Sequence, residues 1–210
     1  MAPRTPGVLL EQARTARREG RANYARNLLR KALKESRGTQ DPFLRAELHI
    51  RLAQVERDSH NLETAERHYR TAVEMLRHFE NPQKLAHTVR HLADILREEG
   101  KLSEAAPLYS EALDLYREAD GTTPLDLANA IRGFALLKAE LEERKEAICL
   151  WQAAKDPYEQ VGVEAGVEES AMRISALQCQ QGIRDRGVSA ENDRRSEASC
   201  ILQAWSYSRS

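Results

Sequence analysis

Leu92-Ala93-Asp94-Ile95-Leu96-Arg97-Glu98-Glu99-Gly100-Lys101-Leu102-Ser103-Glu104-Ala105-Ala106-Pro107-Leu108-Tyr109-Ser110-Glu111-Ala112-Leu113 decides the fold of this chain. Leu92, Ala93 and Leu96 share one helix face. Ala105, Leu108, Tyr109 and Ala112 recur at three- and four-residue steps along a second helix. Between them, Glu99-Gly100-Lys101 places a glycine where a helix ends. The stretch therefore reads as two helices, residues 82–98 and 102–116, folded back on each other. An alanine on each facing side lets the backbones approach, and a bulky ring fills the space beside them. Large side chains at both alanines would overpack the contact, at about 1–3 kcal/mol each.

The pattern repeats outward in both directions. Ala13, Ala53, Ala93 and Ala135 are 40, 40 and 42 residues apart, and so are Ala25, Ala65, Ala105 and Ala147, and Ala32, Ala72, Ala112 and Ala154. A bulky column, Leu29, Tyr69, Tyr109 and Trp151, keeps the same register. Asp41-Pro42, Asn81-Pro82 and Thr123-Pro124 each set a proline 11 residues before the alanine of their unit. Asp, Asn and Thr accept from free backbone N–H groups at a helix start, and proline at the next position loses no hydrogen bond. Self-similarity at such a period marks a stack of helical units, which presents a long surface instead of one catalytic pocket.

The run Leu92 to Leu96 followed by Gly100 to Leu113 resembles the tetratricopeptide repeat (TPR). The 40- to 42-residue period, with Thr123-Pro124-Leu125-Asp126-Leu127-Ala128 in the fourth unit, resembles the extended variant seen in kinesin light chain. The resemblance implies an all-α, right-handed α-solenoid of antiparallel helix pairs. Units are expected at 8–36, 42–79, 82–119 and 124–160, with a degenerate fifth at 163–181, together a repeat domain of residues 8–181. The fifth unit is degenerate because Leu177 stands where a small residue is due. Residues 182–210 read as a polar linker and then a capping helix or disordered tail, built on Ala198, Ile201, Leu202 and Trp205.

In TPR arrays the first helices line the concave side. That places Arg14, Arg17, Arg51, Gln54, Arg57, His87, Arg90, His91, Asp94, Arg97, Asn129 and Arg132 on a partner-binding face. Arg17, Arg57 and Arg97 recur at 40-residue steps. Arginine forks hold carboxylates bidentately, so the expected partner is a protein or peptide that is acidic or carboxylate-bearing. The competing reading pairs these arginines with Glu47, Asp58, Asp94 and Glu98 along the same helices. The Lys/Asn clamp of some TPR domains is replaced by Leu10 and Arg14. The kinesin-light-chain asparagine before the Leu-Ala pair is replaced by Arg51, His91 and Gly133.

Bulk properties narrow the function. The net charge of −1 supplies no global field for nucleic acid or an anionic membrane, and neither is expected as a partner. Of the 32 basic residues only seven are lysine. The three cysteines, Cys149, Cys179 and Cys200, show no zinc or disulfide spacing, and the N-terminal apolar run is short for a signal peptide. A cytoplasmic protein is the expectation. His87 and His91 have the spacing to share a metal, but the glutamate of a HExxH arrangement is missing, so no metal or other cofactor is expected. No nucleophile elbow or phosphate-binding loop appears, so catalytic residues are expected to be none. The expected function is a non-catalytic scaffold or adaptor holding a partner segment in its groove. The alternative is a regulatory sensor whose solenoid binds a small peptide or metabolite.

Overall fold

The computed structural model describes residues 5–38 and 41–184. Among them the chain is all-α: α1 (Pro6–Arg18), α2 (Ala22–Glu35), α3 (Pro42–Asp58), α4 (Leu62–Leu76), α5 (Pro82–Glu98), α6 (Leu102–Glu118), α7 (Pro124–Glu140), α8 (Arg144–Gln160) and α9 (Glu164–Arg184). A single 3-10 turn, Ser36–Gly38, follows α2. Two compact units emerge, one ending at Lys101 and one beginning at Leu102. In the first, α1 packs on α2, α2 on α3, α3 on α4 and α4 on α5. In the second, α6 packs on α7, α7 on α8 and α8 on α9.

The repeated columns are the core. All sixteen residues of the three alanine columns and the bulky column are at most 1% exposed. In the first unit Ala13, Ala25 and Ala32 bury against Leu9, Leu28, Leu29, Leu48, Leu52 and Val55. In the second, Ala135 and Ala147 bury against Trp151 and Leu177, with Ile148 and Ile174 packed beside them. Leu177 thus packs from α9 into the same cluster as Ala135, Ala147 and Trp151.

Helix starts follow the chain chemistry. Asp41 accepts from the Leu44 N–H and Asn81 from the Lys84 N–H, both at 2.9 Å, and Thr123 accepts from the Asp126 N–H at 3.1 Å. The inter-helix turns share one conformation. Gly20, His60, Gly100 and Glu142 stand at the same place in their units and are all left-handed, with φ of 74°, 59°, 75° and 60°. The following N–H reaches back five residues each time: Arg21 to Ala16 O, Asn61 to Glu56 O, Lys101 to Leu96 O and Glu143 to Lys138 O, at 2.8–2.9 Å. This closure satisfies the last free carbonyls of the helix. It turns the chain back within three residues.

Helix α9 continues through Gly182 to Arg184, so the first three residues of the expected polar linker are helical. The Ala198-Ile201-Leu202-Trp205 stripe lies outside the described residues. Among the described residues no helix is long and apolar enough to cross a membrane.

Candidate functional site

With Ala13, Ala53 and Ala93 turned inward, the residues one and four positions on project from the same side of α1, α3 and α5. These are Arg14, Gln54 and Asp94, and Arg17, Arg57 and Arg97. Two adjoining cavities open there within the first unit, sharing Arg17 and Gln54. One, about 280 Å³, is lined by Glu11, Ala13, Arg14, Arg17, Arg18, Leu29, Arg51, Gln54 and Val55. The other, about 510 Å³, is lined by Arg17, Gln54, Arg57, Asp58, His60, Leu62, Tyr69, His91 and Glu98. Six of the twelve residues expected on the binding face, Arg14, Arg17, Arg51, Gln54, Arg57 and His91, therefore meet around this groove.

The arginines are mostly engaged. Arg17 donates from Nε and Nη2 to the two Asp58 carboxylate oxygens at 2.6 and 3.2 Å. Arg57 donates to Glu98 and lies 3.8 Å from Asp94. Both bonds step 41 residues, from one helix-pair repeat to the next within the first unit, so the competing reading of pairs within a helix misses them. Within helices, Arg51 Nε donates to Glu47 at 2.8 Å and Arg90 Nη1 to Asp94 at 2.9 Å. Arg90 and Asp94 are buried, which makes them supports of the wall. Arg14 donates to Glu11 at 2.9 Å. Arg97 occupies the position on α5 that matches Arg17 and Arg57, beside Glu98.

His91 stacks on Tyr69, with centroids 5.7 Å apart and planes at 17°. Burial and the positive charge of Arg90 and Arg57 hold the His91 imidazole below its usual range, against the opposing pull of Asp94. His87 and His91 bring their Nε2 atoms to 3.1 Å. Asp94, however, faces His91 Nδ1 at 3.5 Å, on the other edge of the ring. The three groups do not converge on one point, and among the described residues no group of three or more His, Cys, Asp or Glu is placed to hold a metal ion.

Asn129 and Arg132 belong to the second unit. The Tyr158 hydroxyl donates to Asn129 Oδ1 at 2.9 Å, and Arg132 forks onto Glu169 of α9 at 2.6 and 2.9 Å. Both residues serve the α7–α8–α9 packing. Conversely, Arg18, Leu62 and Tyr69 line the groove without having been expected there. Tyr69 was legible only as a packing residue, because its column is defined by bulk.

The sequence model of the soluble NSF attachment protein (SNAP) family matches residues 13–176. No curated protein sequence matches the chain. Among solved structures, BtubC (BKLC) from P. vanneervenii superposes with a TM-score of 0.75 at 20% identity, covering 97% of this chain and 81% of that one. A putative kinesin light chain of nearly identical TPR-like repeats from Podosopora anserina gives 0.71 at 13% identity, covering 98% and 97%. A Rap protein complexed with Competence and Sporulation Factor gives 0.67 at 14%, and this chain spans 54% of its length. At these identities the likeness shows the fold, which is a TPR-like helix-pair repeat.

Proposed function

Because this chain belongs to the soluble NSF attachment protein family, we propose that it is a non-catalytic scaffold holding a segment of a partner protein in the groove over α1, α3 and α5. The family is named for attaching another protein, and membership supports a general protein-interaction role of a non-enzymatic kind. The period of 40 to 42 residues supports reading the repeats as the extended TPR variant. The observation that carries the groove reading is the pair of adjoining cavities sharing Arg17 and Gln54.

The α1–α3 cavity is the end suited to a carboxylate. Four arginines and one glutamate line it, over an apolar floor of Ala13, Leu29 and Val55. Arg17 and Arg51 are neutralised by Asp58 and Glu47, and Arg14 by Glu11, which leaves the exposed Arg18 as the excess positive charge. A second reading, the sensor, takes support from the similar Rap chain, which is complexed with Competence and Sporulation Factor. In that case the same cavities would take a small free peptide.

The test uses random octapeptide pools with either free or amidated C-termini, retained on the immobilised full-length protein. The free-carboxylate pool should be retained roughly tenfold better at low salt, as a charge-assisted hydrogen bond implies, with the advantage shrinking as salt rises. Arg14→Glu with Arg18→Glu should remove the advantage at an unchanged melting temperature. Equal retention of both pools by the parent and the double variant would refute the carboxylate assignment. No retention of any pool, blocked or free, would refute the groove.

A further inference from the structure

Tyr69 carries a hydroxyl that packing does not need. Its column is filled by Leu29, Tyr109 and Trp151 in the other units, and phenylalanine would supply the same bulk. The side chain is fully buried, yet its hydroxyl has no hydrogen-bond partner. Buried polar groups are almost always paired, so an orphan in a cavity wall points to a ligand. Burial pushes the Tyr69 ionisation up, while the charges its hydroxyl senses are those of Arg57, Asp94, Arg90 and Arg17. Two of these, Arg17 and Arg57, line the larger cavity. Tyr69 itself lines that cavity beside them.

A second neutral group is unused beside it. Gln54 Oε1 accepts from Arg17 at 3.4 Å and from Arg51 at 3.0 Å. Those two donors fix the amide orientation, and Gln54 Nε2 donates to no described group. The charged lining, by contrast, is balanced: Arg17 and Arg57 against Asp58 and Glu98, each arginine already paired. An entering carboxylate would face Asp58 and Glu98, and an entering ammonium would face Arg17 and Arg57. An amide avoids both repulsions, since it is planar, uncharged and offers one acceptor and at least one donor.

We propose that the α3–α5 cavity is a subsite for an amide group of the bound segment, hydrogen-bonded by the Tyr69 hydroxyl and Gln54 Nε2. This rests on the groove reading above. The amide comes either from an Asn or Gln side chain or from an extended backbone. The free volume of about 510 Å³ is ample for either.

The test removes terminal charge from the probe. Octapeptide pools acetylated at the N-terminus and amidated at the C-terminus carry Gln, Glu, Lys or Ala at position four, and a parallel set is N-methylated along the backbone. Retention is measured on the immobilised full-length parent and on Tyr69→Phe. For a side-chain amide, the Gln pool should exceed the Glu and Lys pools by about fivefold, the factor one neutral hydrogen bond provides. Tyr69→Phe should erase that preference while melting at or above the parent temperature. For a backbone amide, the identity at position four should not matter, and both N-methylation and Tyr69→Phe should reduce retention about fivefold. The proposal is overturned if the Glu or Lys pool is favoured, if Tyr69→Phe leaves retention unchanged, or if that variant melts below the parent, which would mean the hydroxyl is already partnered. Retention of free-carboxylate pools but not of blocked ones overturns this subsite alone, whereas retention of neither overturns the groove as well.

Discussion

Replacing Gly166 with alanine tests how tightly α9 docks on the second unit. An ideal Cβ at Gly166 would lie 2.6 Å from Cγ of Tyr158 and 2.7 Å from both Cδ atoms. Carbon atoms pack at about 3.5–4.0 Å, so the ring would have to retreat by roughly 1 Å. It has little room to do so. Tyr158 is 3% exposed, and its hydroxyl is tied to Asn129 at 2.9 Å. Overpacking costs about 1–3 kcal/mol, and straining the hydrogen bond adds up to about 1. The better helix propensity of alanine returns about 0.8–1.0 kcal/mol. Taking the middle of each range, the net expectation is a destabilisation of about 1.6 kcal/mol, or a melting temperature lowered by roughly 3–6 °C for a chain of this size. Urea unfolding and calorimetry of the full chain measure it. In a Tyr158→Leu background the same substitution should cost at least about 1 kcal/mol less, because the ring that clashes is gone. A Gly166→Ala protein that melts at or above the parent would show that the ring yields freely, and the close α8–α9 contact would carry no stability.

Two further predictions concern charges inside the first unit. Glu56 is 2% exposed and forked by Arg26 at 2.7 and 3.0 Å, so Arg26→Ala should destabilise by about 3–5 kcal/mol at pH 7, the cost of stranding a buried charge. Burial pushes the Glu56 carboxyl up, but bonds from Arg26 and Asn61 hold it below its usual 4.5. Its stabilisation is thus full above pH 4.5 and lost as pH falls through the lower folded value, so parent and variant should converge in acid. His49 and His68, in the second helix-pair repeat, share one Nδ1···Nδ1 contact of 3.0 Å, where the first repeat has Leu9 and Leu28. Burial first, then His68 and Arg45, bring His49 down to about 4, and burial with Arg67 and Arg30 lowers His68 against Glu56. The folded pair stays neutral while the unfolded histidines take protons near 6.5, so stability should decline as pH drops from 6.5 toward 4. His49→Leu with His68→Leu should flatten that decline in urea midpoints, and an unchanged slope would refute the assignment.

The sequence by itself determined the repeat. A small residue every 40 to 42 positions, a bulky one in register, a capped proline start and a left-handed turn are each local requirements of closely packed helix pairs. They are therefore written once per unit in residue type. Even so, His60 and Glu142 take the turn conformation that Gly20 and Gly100 take, because the five-residue closing bond holds them there. What the arginines do was decided only by tertiary structure. Arg51–Glu47 and Arg90–Asp94 lie four residues apart and can be read along a helix. Arg17–Asp58 and Arg57–Glu98 form only because, within the first unit, one helix-pair repeat packs on the next and carries an acid, 41 residues on, to the fork of its predecessor. Helix packing likewise commits Arg132 and Asn129 to α9 and α8, and leaves the buried hydroxyl of Tyr69, a cavity-lining residue, without a hydrogen-bond partner. A residue's type states which bonds it is able to make, but the partner within 3 Å is set by where distant helices come to rest.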